Sequence, residues 1–170
     1  AEKLGVGYDR LHALNPNLIY CSISGYGAKG PLRNKPGYDT LVSAYTGLFA
    51  LTGESDRPPV RLGVAAIDMS TGMLAYSGVV SALLARERGA GGQRVDASLL
   101  ESGVTLLGYH GVAWTAGKVQ VEREGAGFST ISPYGVYRAR DGEILIGAPS
   151  QPMWLKVCDV LEAPELASDP

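Results

Sequence analysis

From Asp68 to Leu84 the large apolar residues Met69, Met73, Tyr76, Val80, Leu83 and Leu84 recur at helical spacing. The run predicts one long helix, which Gly89-Ala90-Gly91-Gly92 ends and whose last turn carries Arg86 and Arg88, where the helix dipole favours cations. A helix this apolar has to pack against something, so its neighbours decide the architecture. Residues 18–24, LIYCSIS, are apolar, partly β-branched and bounded by turn residues, the pattern of a buried and parallel strand. Residues 93–98 read as a second strand and residues 99–116 as a second helix. Strand, helix, strand, helix in that order implies an α/β layer. Ligands in open α/β sheets sit at the carboxyl ends of strands, which directs attention to Gly25-Tyr26-Gly27-Ala28-Lys29-Gly30-Pro31.

The flanks fit around that layer. Residues 8–14 form a short helix stopped by Asn15-Pro16-Asn17, residues 38–51 have mixed helical periodicity, and residues 53–59 are a turn-rich loop. After a polar, glycine-containing stretch, two apolar runs flank Asp141-Gly142, a hairpin signal, and a helix restarts over 150–161. The chain therefore opens a second, smaller α+β domain near residue 125.

With 45% hydrophobic and 19% charged residues and a net charge of −2, the composition is that of a globular protein with no basic field for nucleic acid. The longest apolar stretch, 69–85, is broken by Gly72, Ser77, Gly78 and Ser81, so it reads as a buried helix of a soluble protein rather than a membrane span. Two cysteines, Cys21 and Cys158, give neither a disulfide framework nor metal-ligand spacing, and a reducing cytoplasm is expected. The abrupt start and the end at ELASDP read as a piece of a longer chain.

Asp68 stands where the long helix begins, at its expected N-cap. Two readings of it stand side by side: a capping carboxylate only, or a carboxylate nucleophile held ready by free backbone N–H groups and the helix dipole. The glycine turns at 25–31 and 37–39, with Lys29, Lys35 and Tyr38 beside them, are either plain loops or a cradle for a phosphate-bearing ligand. The GxxxxGK[ST] spacing of a Walker loop is absent. His12 and His110 have no motif partner, Gly-x-Ser-x-Gly is absent, and Trp114 and Trp154 are expected in the core.

Taken together, KPGYDTLVSAYTGLFALTG and PPVRLGVAAIDMSTGMLAYSGVVSALLARERGAGGQRVDASLLESGVTLL resemble the family III (CaiB/BaiF) CoA-transferases. The leading ALNPNLIYCSISGYGAKGP and the trailing SPYGVYRARDGEILIGAPSQPMWLKVCDVL extend the resemblance over nearly the whole chain.

The resemblance implies an α/β fold in which residues 1–118 are part of a large Rossmann-like domain, 119–132 a linker and 133–170 the start of a small α+β domain. It implies that Asp68, opening the helix after the PPVR loop, is the nucleophile, passing through aspartyl anhydride and aspartyl-CoA thioester intermediates. Lys35, Gly37, Tyr38 and Asp39 match the stretch that lines the CoA site. Coenzyme A and acyl-CoA are then substrates alongside a carboxylic acid, with no tightly bound cofactor and no metal, and the full-length protein is an interlocked homodimer. The racemases of the family have a histidine in the matching GHD turn. Here the residue is Tyr38, and a phenol is a poor proton shuttle near neutrality, which favours transferase over racemase. The remaining alternative is an inactive CoA-binding fragment.

Overall fold

The structure is a computed structural model that describes residues 1–168. The chain forms two compact units, one of residues 1–50 and 61–121, the other of residues 51–60 and those from 122 onward. Residues 51–60, assigned to the first domain from the sequence, join the second unit through Arg123. Its Nε donates to the Glu54 carbonyl at 3.0 Å and its Nη2 to the Arg57 carbonyl at 3.0 Å. The Gly125 N–H adds a bond to the Gly53 carbonyl at 3.0 Å.

In the first unit, helix α1 (Tyr8–Leu14) leads into strand β1 (Ile19–Ser24). Strand β2 (Gln93–Ser98) pairs with β1 in parallel, in register from Ile19 opposite Gln93 to Ser24 opposite Ser98. Parallel strands need a long crossover, and here it carries α2 (Asp39–Thr46), α3 (Leu48–Leu51) and α4 (Ala66–Ala85). Helix α4 unwinds through a wide turn, Arg86–Ala90, with Gly89 at φ 93°. The Gly92 N–H then donates to the Pro16 carbonyl at 2.8 Å, which brings β2 back beside β1. On β2, Arg94 and Asp96 share a face and pair at 2.9 Å, and the hydrogen bond to Asp96 raises the Arg94 pKa further above its ordinary value.

Helix α5 (Leu99–Leu106) follows β2 directly and is capped by Ser98, whose Oγ accepts from the Glu101 N–H at 3.2 Å and donates to Glu101 Oε2 at 2.7 Å. The single helix expected over 99–116 is two, α5 and α6 (Tyr109–Gly117). Between them Gly108 takes φ 53°, a left-handed value that a glycine adopts without strain and that breaks the helix.

The long helix forms as expected, but its faces are the reverse of the expectation. Its buried stripe is Ile67, Thr71, Ala75 and Ala82, while Met73 is 64% and Tyr76 72% exposed. The reason lies at Gly78, where a Cβ would stand 2.7 Å from Val95 Cγ1. Small residues let α4 approach the strands closely, and the bulky side chains are left on the opposite face. The helix runs unbroken through Gly72, Ser77, Gly78 and Ser81, and Ser77 Oγ turns back to the Met73 carbonyl at 2.9 Å. Against the sequence-based expectation, the helical stretch 66–90 is long and apolar enough to cross a membrane by length and composition, a test that core helices of soluble proteins also pass. A helix apolar all round belongs in a layer covered on both sides.

Val42, Leu48, Ile67 and Leu99 form the core of this unit, with Tyr26, Leu100 and Leu107 packed on it. Strand β1, expected to be buried, leaves Cys21 and Ile23 exposed, because β2 is its one partner strand among the described residues. Trp114, expected in the core, is also exposed.

In the second unit, β3 (Tyr134–Arg138) and β4 (Glu143–Gly147) form the expected antiparallel hairpin. The Ala139 N–H donates to the Gly142 carbonyl at 2.8 Å, so Arg140 and Asp141 occupy the turn centre, one residue earlier than the Asp-Gly signal suggests. Helix α7 (Gln151–Val160) follows and buries Cys158.

Candidate functional site

At the carboxyl end of β1 the chain passes through Gly25 against the turn that carries Gly37. A Cβ on Gly25 would lie 2.8 Å from the Gly37 Cα, and one on Gly37 would lie 3.2 Å from Tyr26 Cε2. Two turns of the same connection, twelve residues apart, therefore touch backbone to backbone, which only glycine at both positions permits. The Gly25 carbonyl accepts from the Leu100 N–H at 3.0 Å, tying the start of α5 to the same place. Ser24 Oγ accepts from the Gly27 N–H at 3.0 Å and closes the turn after β1.

Gly37 leads straight into Tyr38 and Asp39, which open α2. Tyr38 has an extended backbone, accepts the Val42 N–H on its carbonyl at 3.0 Å, and exposes 62% of its surface. Lys35 is exposed, and among the described residues its ammonium has no ion-pair partner. Asp39 differs from its neighbours: it is 8% exposed, and its Oδ2 accepts from the N–H groups of Ile67 at 2.9 Å and Asp68 at 3.2 Å.

Those two bonds correct the sequence-based placement of Asp68. Helix α4 begins at Ala66, with Ala65 at the N-cap and no side-chain cap of its own. Asp68 stands in the first turn, and the capping carboxylate comes from Asp39, twenty-nine residues earlier. The Asp68 side chain is exposed and, among the described residues, holds no hydrogen bond or ion pair. Spacing along the chain gave no sign of a cap supplied from another helix. Behind this turn Thr71 Oγ1 donates to the Ile67 carbonyl at 2.7 Å and meets Ser102 Oγ at 2.8 Å, and Ser102 bonds the Ser98 carbonyl at 2.9 Å. This buried chain of hydroxyls locks the first turn of α4 to α5.

The arrangement presents an uncommitted carboxylate, Asp68, on a helix start held by Asp39, which follows in the chain an exposed cation, Lys35, and an exposed phenol, Tyr38. Such a carboxylate is chemically fit for nucleophilic attack on an activated acyl group. The N–H groups of Ile67 and Asp68 are already occupied, so an oxyanion formed there draws its donors from elsewhere. Among the described residues no cluster of His, Cys, Asp and Glu is arranged to hold a metal ion.

The model of "CoA-transferase family III" matches residues 1–170. The chain is 43% identical over 169 residues to an "Acyl-CoA transferase" of Fusarium pseudograminearum, covering 99% of this chain and 37% of that one. It is 38% identical over 168 residues to the mouse "Succinyl-CoA:glutarate CoA-transferase", covering 99% and 38%. Among solved structures, a CAIB/BAIF family protein from Brucella suis superposes with a TM-score of 0.84 at 35% identity, covering 99% of this chain and 44% of that one. The chain thus spans about two-fifths of the length of the curated relatives it matches. With one family model spanning every residue and relatives of the same kind aligned throughout, the chain belongs to the family III CoA-transferases.

Proposed function

We propose that this chain carries the nucleophile and part of the CoA-binding wall of an enzyme that moves coenzyme A from an acyl-CoA thioester to a free carboxylic acid. The observation that carries this reading is the exposed, uncommitted carboxylate of Asp68 at the start of α4 in a chain matched throughout by the family.

An Asp68 oxygen attacks the thioester carbonyl carbon; the C–S bond breaks, CoA thiolate leaves, and an aspartyl acyl anhydride forms. The thiolate attacks the Asp68 Cγ, displacing the donor acid as a carboxylate and leaving an aspartyl-CoA thioester. The acceptor carboxylate attacks that Cγ, again expelling thiolate and forming a second anhydride. Thiolate finally attacks the acceptor's carbonyl carbon, which yields the new acyl-CoA and the free Asp68 carboxylate. Lys35, Gly37, Tyr38 and Asp39 form one wall of the CoA site. Lys35 and Tyr38 face the ligand, Gly37 contributes its backbone, and Asp39 supports the wall from behind. No tightly bound cofactor is needed, since CoA is itself the group transferred.

An interlocked homodimer in a cytoplasmic setting is part of the same proposal, and the exposed apolar face of α4 around Met73 and Tyr76 supports the dimer, since such a face calls for cover from further polypeptide.

The test uses a polypeptide of the relatives' length that contains this chain. It is incubated with succinyl-CoA and other acyl-CoA esters, trapped with hydroxylamine or borohydride, and the peptide holding Asp68 is examined by mass spectrometry. Modification at Asp68, absent from Asp68→Asn, is the expected result. An unmodified peptide with exchange of the proton next to the thioester carbonyl would replace transfer by racemisation, and neither signal would leave a binding role.

A further inference from the structure

We infer that Asp39 is the positioning residue for the nucleophile. The inference rests on the reading of Asp68 given above and adds how that side chain is aimed. Helix α4 lacks a side-chain cap of its own, and the N–H groups of Ile67 and Asp68 both converge on Asp39 Oδ2, at 2.9 and 3.2 Å. One of these donors is the amide of Asp68 itself, so the backbone from which the nucleophile springs is held by a carboxylate of another helix. That carboxylate follows Tyr38 immediately and opens α2. A single buried group thereby fixes the first turn of α4 against the Gly37–Tyr38 turn, and with it the relation between the attacking carboxylate and the wall beside it.

The residues around Asp39 leave it no other evident task. It is 8% exposed, forms no ion pair among the described residues, and lies next to Ile67 and Val42 of the core. A contact to a bulky ligand requires an accessible side chain, which Tyr38 and Lys35 have and Asp39 lacks. Removing its oxygens leaves two amides, one buried and one part-buried, without their acceptor, and the turn shifts to recover partners. A displacement of about 1 Å at a reacting atom costs on the order of a hundredfold in rate while leaving binding of the rest of the substrate nearly untouched.

The experiment compares Asp39→Ala, Asp39→Asn and Asp68→Asn in the longer polypeptide, with kcat and KM for the acyl-CoA, trapping of the Asp68 peptide, and amide hydrogen exchange. The alanine variant is expected to lose roughly ten- to a hundredfold in kcat with KM for the acyl-CoA changed less than about threefold. Exchange should quicken selectively at Ile67 and Asp68. Asparagine keeps an oxygen acceptor in the same place and should restore kcat to within about fivefold of the parent.

An unchanged kcat in Asp39→Ala would overturn the inference, as would a raised KM at unchanged kcat, which would make Asp39 a ligand contact. A folded Asp39→Asn as slow as the alanine variant would also overturn it, because the hydrogen bonds would then not be the means. Should the alanine variant fail to fold, the asparagine variant decides, retained trapping of Asp68 supporting the inference and lost trapping in a folded protein overturning it. Full activity in Asp68→Asn would instead overturn the assignment of the nucleophile, a failure distinguishable because exchange at Ile67 and Asp68 reads the bonds to Asp39 independently.

Discussion

Gly25 and Gly37 meet backbone to backbone, so closely that a Cβ added to Gly37 would sit 2.9 Å from the Gly25 Cα. Neither partner is a side-chain tip that could swing aside. Gly25→Ala or Gly37→Ala must therefore part the two loops, at a cost of about 1–3 kcal/mol in stability. Because Gly37 precedes Tyr38, the same change should raise KM for acyl-CoA. Denaturant titration and steady-state kinetics on each variant check both effects, and a variant normal in both would show that the loops separate freely.

Gly78 and Val95 make the corresponding contact between helix α4 and strand β2, with a Cβ at Gly78 falling 2.7 Å from Val95 Cγ1. Alanine at an exposed helix site gains about 1 kcal/mol over glycine, and here the clash opposes that gain. The expected outcome is a Gly78→Ala variant that is destabilised on its own and relieved by Val95→Ala. A double-mutant cycle should give a coupling of at least about 0.5 kcal/mol. Additive effects would mean that α4 does not rest on Val95.

These two contacts mark how far the sequence could be read. The order of elements, the parallel pairing, the limits of α1 and the hairpin all follow from local signals, namely apolar period, turn residues and a proline after Asn15. What local signals misassigned was the face of α4. Bulky residues at helical spacing look like a core stripe, yet the residues that α4 buries include the small Ala75 and Ala82, and Gly78 is the one that meets strand β2 at Val95. Resemblance singled out Asp68 as the candidate, but the cap from Asp39 was not legible, because a hydrogen bond across twenty-nine residues leaves no periodic trace. The break at Gly108 was hidden for a related reason: a glycine within an apolar run is silent about the sign of its φ.

Ser98 offers a test of the α5 start. Its Oγ accepts from the Glu101 N–H at 3.2 Å, and the residue is 2% exposed. Ser98→Ala should cost about 1 kcal/mol through loss of the cap. Ser98→Thr should recover part of it, since threonine caps nearly as well where its methyl fits. Chemical denaturation of the two variants decides; equal losses would show that the site rejects any change of volume, so that packing and not capping governs it.

At Asp68 stability and activity are expected to part company. The side chain is exposed and, among the described residues, holds no hydrogen bond or ion pair, so Asp68→Asn should leave the unfolding free energy within about 0.5 kcal/mol of the parent. The amide is nearly the same size as the carboxylate but is a far weaker nucleophile, so the rate of transfer should fall on the order of a thousandfold, equivalent to roughly 4 kcal/mol in the barrier. Asp39→Ala is expected to lose both stability and rate, because the Asp39 carboxylate is committed to the fold and acts on the reaction through the placement of another residue. Measuring both quantities for Asp68→Asn and Asp39→Ala separates the two roles: a large rate loss at unchanged stability identifies the group that reacts, and a rate loss accompanied by lost protection at Ile67 identifies the group that aims it. A destabilised Asp68→Asn would show instead that the carboxylate of Asp68 is engaged by other parts of the longer polypeptide.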